Sequence, residues 1–298
     1  MDNWRDAARE LFFRIAASGI VPARLFLPSV PRSSDLPART GHLTLEIVTH
    51  CWRYEHLLAY QLSSLVLHPP STVSVTMTVF HSREDRGTVG MLERFAAMDV
   101  PNVTWNWSAL ATPELMRRAI GRNRAALSTT ADWIWFTDCD VVFHEGCLDG
   151  LAAELQGRRD LLVFPRRENV TPLLAPDDPM LSPGDVPVEI DVTRFAPREL
   201  GVAKGPVQIT HGDLARRAGY CDAIALYQTP APRWKKAWED RAFRWLLRTD
   251  GVPIDVPGVY RIRHASKGRY GSRPGAAVRG SIRRFESWLR GSRKPGTR

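Results

Sequence analysis

The chain has 298 residues, 44 per cent of them apolar, and a formal net charge of +9. That is long enough to bury a sizeable core, and no run approaches the roughly 18 uninterrupted apolar residues of a membrane-spanning helix. The charge is lopsided: Arg261 onward holds twelve Lys or Arg and one acid, Glu286, leaving 29 basic against 31 acidic residues before it. The body is thus nearly neutral, and the basic character belongs to a tail. Such a tail either attracts anionic membranes or nucleic acid, or is a solubilising end. Cysteines at 51, 139, 147 and 221 form no C-x-x-C pair, which argues against a zinc ribbon and for reduced, buried thiols in a cytoplasmic protein. Asp2, Arg5, Asp6, Arg9 and Glu10 precede the first apolar patch, unlike a secretory leader.

Residues 1–40 read as an N-terminal extension. Leu11, Phe12, Ile15 and Ala16 give a short helical stripe, and Pro22, Pro28, Pro31 and Pro37 then interrupt regular structure. Leu43, Leu45, Ile47 and Thr49 alternate with their neighbours as in a strand. Leu58, Leu62 and Leu65 follow at helical spacing and mark an amphipathic helix. Residues 73–81 are β-branched and strand-like, 88–97 helical, and 103–107 a short strand. A helix is expected from Thr112, with Thr112 as its cap and Pro113 and Glu114 in its first turn. Trp133-Ile134-Trp135-Phe136 is continuous and apolar, as a central strand covered on both faces would be. Leu148, Leu151, Ala152 and Leu155 mark another helix, 161–165 a buried strand, 166–206 long loops with an edge hairpin, and Trp238 to Arg248 a last helix. Alternation of strand and helix from 43 to 165 predicts a layered α/β domain over 41–270 with a largely parallel sheet. Residues 271–298 form the basic tail.

The central strand ends in Asp138-Cys139-Asp140. In open parallel sheets ligands sit beyond the carboxyl ends of the strands, and residues two apart in extended chain point the same way. Two carboxylates so placed repel unless a cation intervenes. They suit Mg²⁺ or Mn²⁺ with a phosphate-bearing substrate; the alternative makes them turn formers or a helix cap.

Four blocks, in order, resemble the GT-A fold glycosyltransferases, family 2 above all: LTLEIVTHCWRYEHLLAYQLSSL, GRNRAALSTTADWIWFTDCDVVF, GPVQITHGDLARRAGY and WEDRAFRWLLRTDGVPIDVPGVYRIRH. The resemblance implies a Rossmann-like layered fold with a mixed, mostly parallel sheet flanked by helices, and a Mn²⁺- or Mg²⁺-dependent, inverting transfer from a nucleotide-sugar, a UDP-sugar first, to a glycan or lipid-linked hydroxyl. It assigns Asp140 and His264 to the metal, with Asp138 on the ribose or on the metal through water. Thr49, Trp52 and Tyr54 would line the nucleotide pocket, and Arg122 and Asn123 would approach the diphosphate. Asp240 would be the base and Glu239 an acceptor contact. Trp238, Gln208 and His211 would lie on the acceptor side, and Lys267 and Arg269 would clamp phosphate. Where many members carry an acidic pair after the second strand, this chain has Val79, Phe80 and His81, with Asp85 a little later.

Read without the resemblance, Arg122 is equally a surface ion pair, Trp238 equally core, and Glu239 and Asp240 equally the acids that favour a helix start. Residues 280–291 would make a basic amphipathic helix that either lies on the cytoplasmic membrane, as a peripheral contact, or docks on its own domain. Two rival functions remain. One is a haloacid-dehalogenase-type phosphatase with Asp138 as nucleophile, against which stand the roughly 90 residues of α/β pattern that precede the motif. The other is a non-catalytic anion- or membrane-binding protein acting through the tail; no nucleic-acid module is recognised.

Overall fold

The computed structural model describes residues 3–234 and 238–264. The tail readings, including Lys267 and Arg269, lie outside the described residues. In chain order the elements are α1 (Asn3–Ile15), β1 (Leu43–His50), α2 (Glu55–Leu67), β2 (Val73–His81), α3 (Arg86–Ala96), β3 (Val103–Ala109), α4 (Thr112–Leu115), α5 (Arg118–Ser128), β4 (Trp133–Phe136), β5 (Val141–Phe143) and α6 (Cys147–Leu155). Then come β6 (Leu162–Pro165), β7 (Arg167–Val170), β8 (Ala196–Glu199), β9 (Gln208–His211), α7 (Gly212–Ala218), α8 (Ala225–Gln228), α9 (Glu239–Leu247), β10 (Val252–Ile254) and β11 (Val259–Arg261).

Seven strands form the main sheet in the order β10-β6-β9-β4-β1-β2-β3. All run parallel except β9, which is antiparallel to both β4 and β6. The expected α/β fold with a mixed, mostly parallel sheet flanked by helices is therefore the fold observed. Trp133, Ile134, Trp135 and Phe136 are all fully buried, which is why β4 shows no alternation: it sits mid-sheet with both faces covered. Its register, Leu45↔Trp133 through Val48↔Phe136, sets the end of β4 beside the end of β1.

A second sheet, β5-β11-β7-β8, starts one residue past Asp140. It contains the expected edge hairpin, β7 against β8, with a long loop between. This sheet also explains why α2 is not simply amphipathic. Residues 57–65 are buried all round, and the polar groups among them serve the second sheet. Gln61 donates to the carbonyls of Asp138 (3.0 Å) and Val141 (2.9 Å), Ser64 accepts from Phe143 N, and Ser63 accepts from Val188 N. Buried polar side chains need such partners, and here they fix the turn carrying the two aspartates.

Two local expectations change. The helix from Thr112 breaks into α4 and α5 around Met116 and Arg117, and Ala111 rather than Thr112 is the capping position. Thr112 shares a hydrogen bond with Ser82 Oγ instead, at 2.8 Å. Asp85 is a helix cap: it accepts from Thr88 N and Thr88 Oγ1 at the start of α3, and from Arg53 N. All four cysteines are free and buried.

Gly212 couples β9 to α7. Its N–H donates to Asp132 O at 2.7 Å, and a Cβ there would lie 2.0 Å from Ala131 O. A main-chain oxygen cannot swing away as a side chain can. We expect Gly212→Ala to cost about 2 kcal/mol of stability, measured by urea denaturation; an unchanged midpoint would contradict this packing.

Candidate active-site cleft

A cleft opens at the carboxyl end of β4, beyond the sheet as expected for this architecture. Trp52 and Tyr54 line it from the β1–α2 loop, Asp138 and Asp140 from the β4–β5 turn, and His264 from beyond β11. Asp140 and His264 come together because Ile262 N donates to Asp140 O at 2.9 Å, pinning β11 to the turn. Tyr54 meets the His264 ring edge-on, centroids 5.0 Å apart. Both Asp140 and His264 are buried. Asp140 and His264 offer an oxygen and a nitrogen donor of the kind that Mn²⁺ or Mg²⁺ accepts, while the Asp138 carboxylate is taken up by two guanidinium groups.

The charges are organised by α5. Arg118 donates through Nη1 to Asp138 Oδ1, and through Nε (2.9 Å) and Nη2 (2.6 Å) to Glu239 Oε1. One turn on, Arg122 reaches Asp138 Oδ1 at 3.3 Å and the carbonyls of Thr137 (3.0 Å) and Gly205 (3.1 Å). Its other nitrogen donates to Tyr220 OH, which donates to Gln208 Oε1 at 2.8 Å; Gln208 Nε2 in turn donates to Asp240 O at 3.0 Å. A continuous polar chain therefore ties the aspartate turn to the start of α9. Burial opposes the charge on Arg118, but Asp138 and then Glu239 hold its pKa above the ordinary value. Burial alone would raise Glu239, yet Arg118, then Arg122, pull it below its usual range.

The residues expected to form the site divide. Asp138, Asp140, His264, Trp52 and Tyr54 meet in the cleft. Thr49 is fully buried behind it, with a hydroxyl that has no partner. Arg122 is fully buried on Asp138, so it is no surface ion pair. Gln208 braces the site from below rather than lining it. Asn123 faces elsewhere: it donates to Asp222 and accepts from Tyr220 N, fixing the turn after α7. His211 pairs with Trp133, at the opposite end of β4 from Asp138. It is held between Pro37 O and Asp213 N, and so lies away from the cleft. Asp240 does not line the cleft; its carboxylate is 3.8 Å from Arg244 and 30 per cent exposed. Trp238 caps α9 in the left-handed region (φ 59°) under the Arg14 guanidinium, neither core nor exposed.

Three charged or aromatic residues of the cleft escaped the sequence reading. Arg118 is one; its only signal was the four-residue step to Arg122. Trp234 is another, its ring 4.9 Å from the Arg118 guanidinium. The third is His50, adjacent to Thr49, whose two ring nitrogens are buried without partners. Burial, then Arg122 and Arg118, push its pKa well down, so it is a neutral imidazole.

No protein-family model matches the chain, and no curated protein matches it in sequence. Among solved structures it is similar to the mannosyltransferase PcManGT from Pyrobaculum calidifontis in complex with GDP-Man and Mn²⁺, at 16 per cent identity, TM-score 0.45, over 97 per cent of this chain and 77 per cent of that one. It is similar to residues 1–349 of S. aureus TarS in complex with UDP-GlcNAc, at 13 per cent identity, TM-score 0.48, over 83 and 67 per cent. A second structure of S. aureus TarS 1–349 gives 14 per cent identity and TM-score 0.42 over 83 per cent of this chain, which spans 66 per cent of that one. At these identities and scores the fold stands on its own strand order.

Replacing Arg118 with Met leaves two buried carboxylates facing each other. We expect Arg118→Met to lose about 3 kcal/mol at pH 7. Because the folded pKa of Glu239 is depressed, its contribution is complete above the ordinary 4.5 and fades as pH falls through the lower folded value. The gap between wild type and variant should therefore narrow below pH 4.5. Guanidinium denaturation at several pH values measures it, and a gap that widens in acid would refute the ion-pair reading.

Proposed function

We propose that the chain is a glycosyltransferase that uses a divalent cation and transfers a sugar, with inversion, from a nucleotide-sugar to a hydroxyl of a glycan or lipid-linked acceptor. The observation that carries this is the meeting of Asp138, Asp140 and His264 in one aromatic-walled cleft, with the acidic start of α9 joined to it through Arg118. Asp140 and His264 would hold Mn²⁺ or Mg²⁺, which when bound supplies Lewis-acid neutralisation of the leaving diphosphate. Asp138, already committed to two guanidinium groups, would contact the ribose or the metal through water. Trp52 and Tyr54 offer faces for the nucleotide, a UDP-sugar being favoured by resemblance alone. Arg118 and Arg122 hold the Asp138 carboxylate in place.

Glu239 is doubly engaged by Arg118 and depressed in pKa, which makes it a poor proton acceptor and a good positioning group. Asp240, next to it and partly exposed, is the proposed base that takes the acceptor hydroxyl proton as the new bond to the anomeric carbon forms. A phosphatase with Asp138 as nucleophile is disfavoured by the same geometry, because a carboxylate neutralised by two arginines attacks phosphorus weakly.

The test is a thermal-shift series of nucleoside diphosphates with and without Mn²⁺. One diphosphate should raise the melting temperature only when metal is present, and Asp140→Ala should remove the effect. Asp240→Asn should keep that binding yet lower transfer about a hundredfold or more. No stabilisation by any diphosphate with metal would end the assignment.

A further inference from the structure

Of the apolar stripe expected in the N-terminal extension, Leu11, Phe12 and Ile15 point outward from α1, whereas Ala16, just past its end, is fully buried. Ala8, Leu11, Phe12 and Ile15 recur along one side of α1 at three- and four-residue steps, and all are exposed, the three large ones by about half. The other side holds the helix down: Phe13 packs edge-on against Phe26, centroids 5.4 Å apart, and lies 6.1 Å from Tyr227. Ile20 and Leu25, in the same extension, are 73 and 70 per cent exposed. Five of the nine exposed large hydrophobics among the described residues thus fall between 11 and 25. Scattered apolar residues are ordinary on a surface, whereas a contiguous set marks a face meant to be covered.

Charge indicates what covers it. A groove of about 1090 Å³ runs between the extension and α9, and Arg24, Arg241, Arg244 and Arg248 line it against a single acid, Asp250. Arg244 lies near Asp250 and Asp240. Among the described residues the other three have no carboxylate partner: Arg241 and Arg248 donate to main-chain carbonyls of the extension, and Arg24, exposed, makes neither a hydrogen bond nor an ion pair there. Ile20 and Leu25 alternate in sequence with the groove residues Gly19, Val21 and Arg24, so apolar and cationic groups share one rim. Apolar side chains beside unneutralised arginines match a surface that presents phosphate above hydrocarbon.

We propose that the extension and the arginine groove on α9 form a docking face for an anionic lipid bilayer. Leu11, Phe12, Ile15, Ile20 and Leu25 enter the boundary between headgroups and acyl chains, while Arg24, Arg241 and Arg248 meet lipid phosphates. This inference rests on the extension and the outer arginines of α9, not on the cleft, and stands whether or not the cleft transfers sugar.

Co-sedimentation of the full-length chain with vesicles of phosphatidylcholine, with and without added phosphatidylglycerol, tests it. Wild type should pellet with the anionic vesicles and release in high salt. Ile20→Asp/Leu25→Asp and, separately, Arg24→Glu should weaken that partition by about tenfold or more and about fivefold, with the circular dichroism unchanged. A full-length Arg283→Glu/Arg284→Glu/Arg290→Glu variant should keep most of the binding. The proposal falls if the tail variant alone loses binding, if wild type ignores anionic vesicles, or if Ile20→Asp/Leu25→Asp merely splits a dimer without touching vesicle binding.

Discussion

The Arg118 guanidinium sits between the carboxylates of Asp138 and Glu239, groups far apart in sequence and nearly buried in the fold. Without a cation there, two desolvated negative charges would face each other, and one would take up a proton. With it, the Glu239 carboxyl is held below its usual range, and the end of β4 is fastened to the start of α9. The consequences spread from that pairing. Arg122, one turn along α5, adds a second hold on Asp138 and passes it through Tyr220 and Gln208 to the backbone at Asp240. The cleft is therefore braced on both sides by one helix.

The same pairing divides the labour among the acids. A carboxylate held by two arginines is a weak nucleophile and a reluctant direct metal ligand, so Asp138 is better suited to orientation. In the proposed reading Asp140, whose carbonyl is tied to Ile262 N two residues before His264, would be the ligand instead. Glu239 is likewise fixed by Arg118, and the proposed role of base therefore falls to its neighbour Asp240.

Much of this was legible along the chain, for identifiable reasons. The unbroken run at Trp133–Phe136 announces a strand covered on both faces, and the carboxylate pair after it falls at the mouth of the cleft; both signals are local. What could not be read was pairing across distance. The reversal of β9, the second sheet and the buried polar residues of α2 depend on strands that meet only after folding. Asn123 and His211 stand in the expected motifs, but their partners, Asp222 and Pro37, turn them to structural work. Arg118 escaped notice because its two partners lie 20 and 121 positions away. The outward stripe on α1 shows the converse: its period was plain, yet period alone does not say which side faces the core.

The account is tested most directly by crystals grown with Mn²⁺ and a nucleoside diphosphate, with diffraction recorded at the manganese absorption edge. It requires an anomalous peak against Asp140 and His264, with Arg118 still spanning Asp138 and Glu239. A peak found only elsewhere, for example at the His68, His144 and Glu189 cluster, or none in the cleft at all, would contradict it.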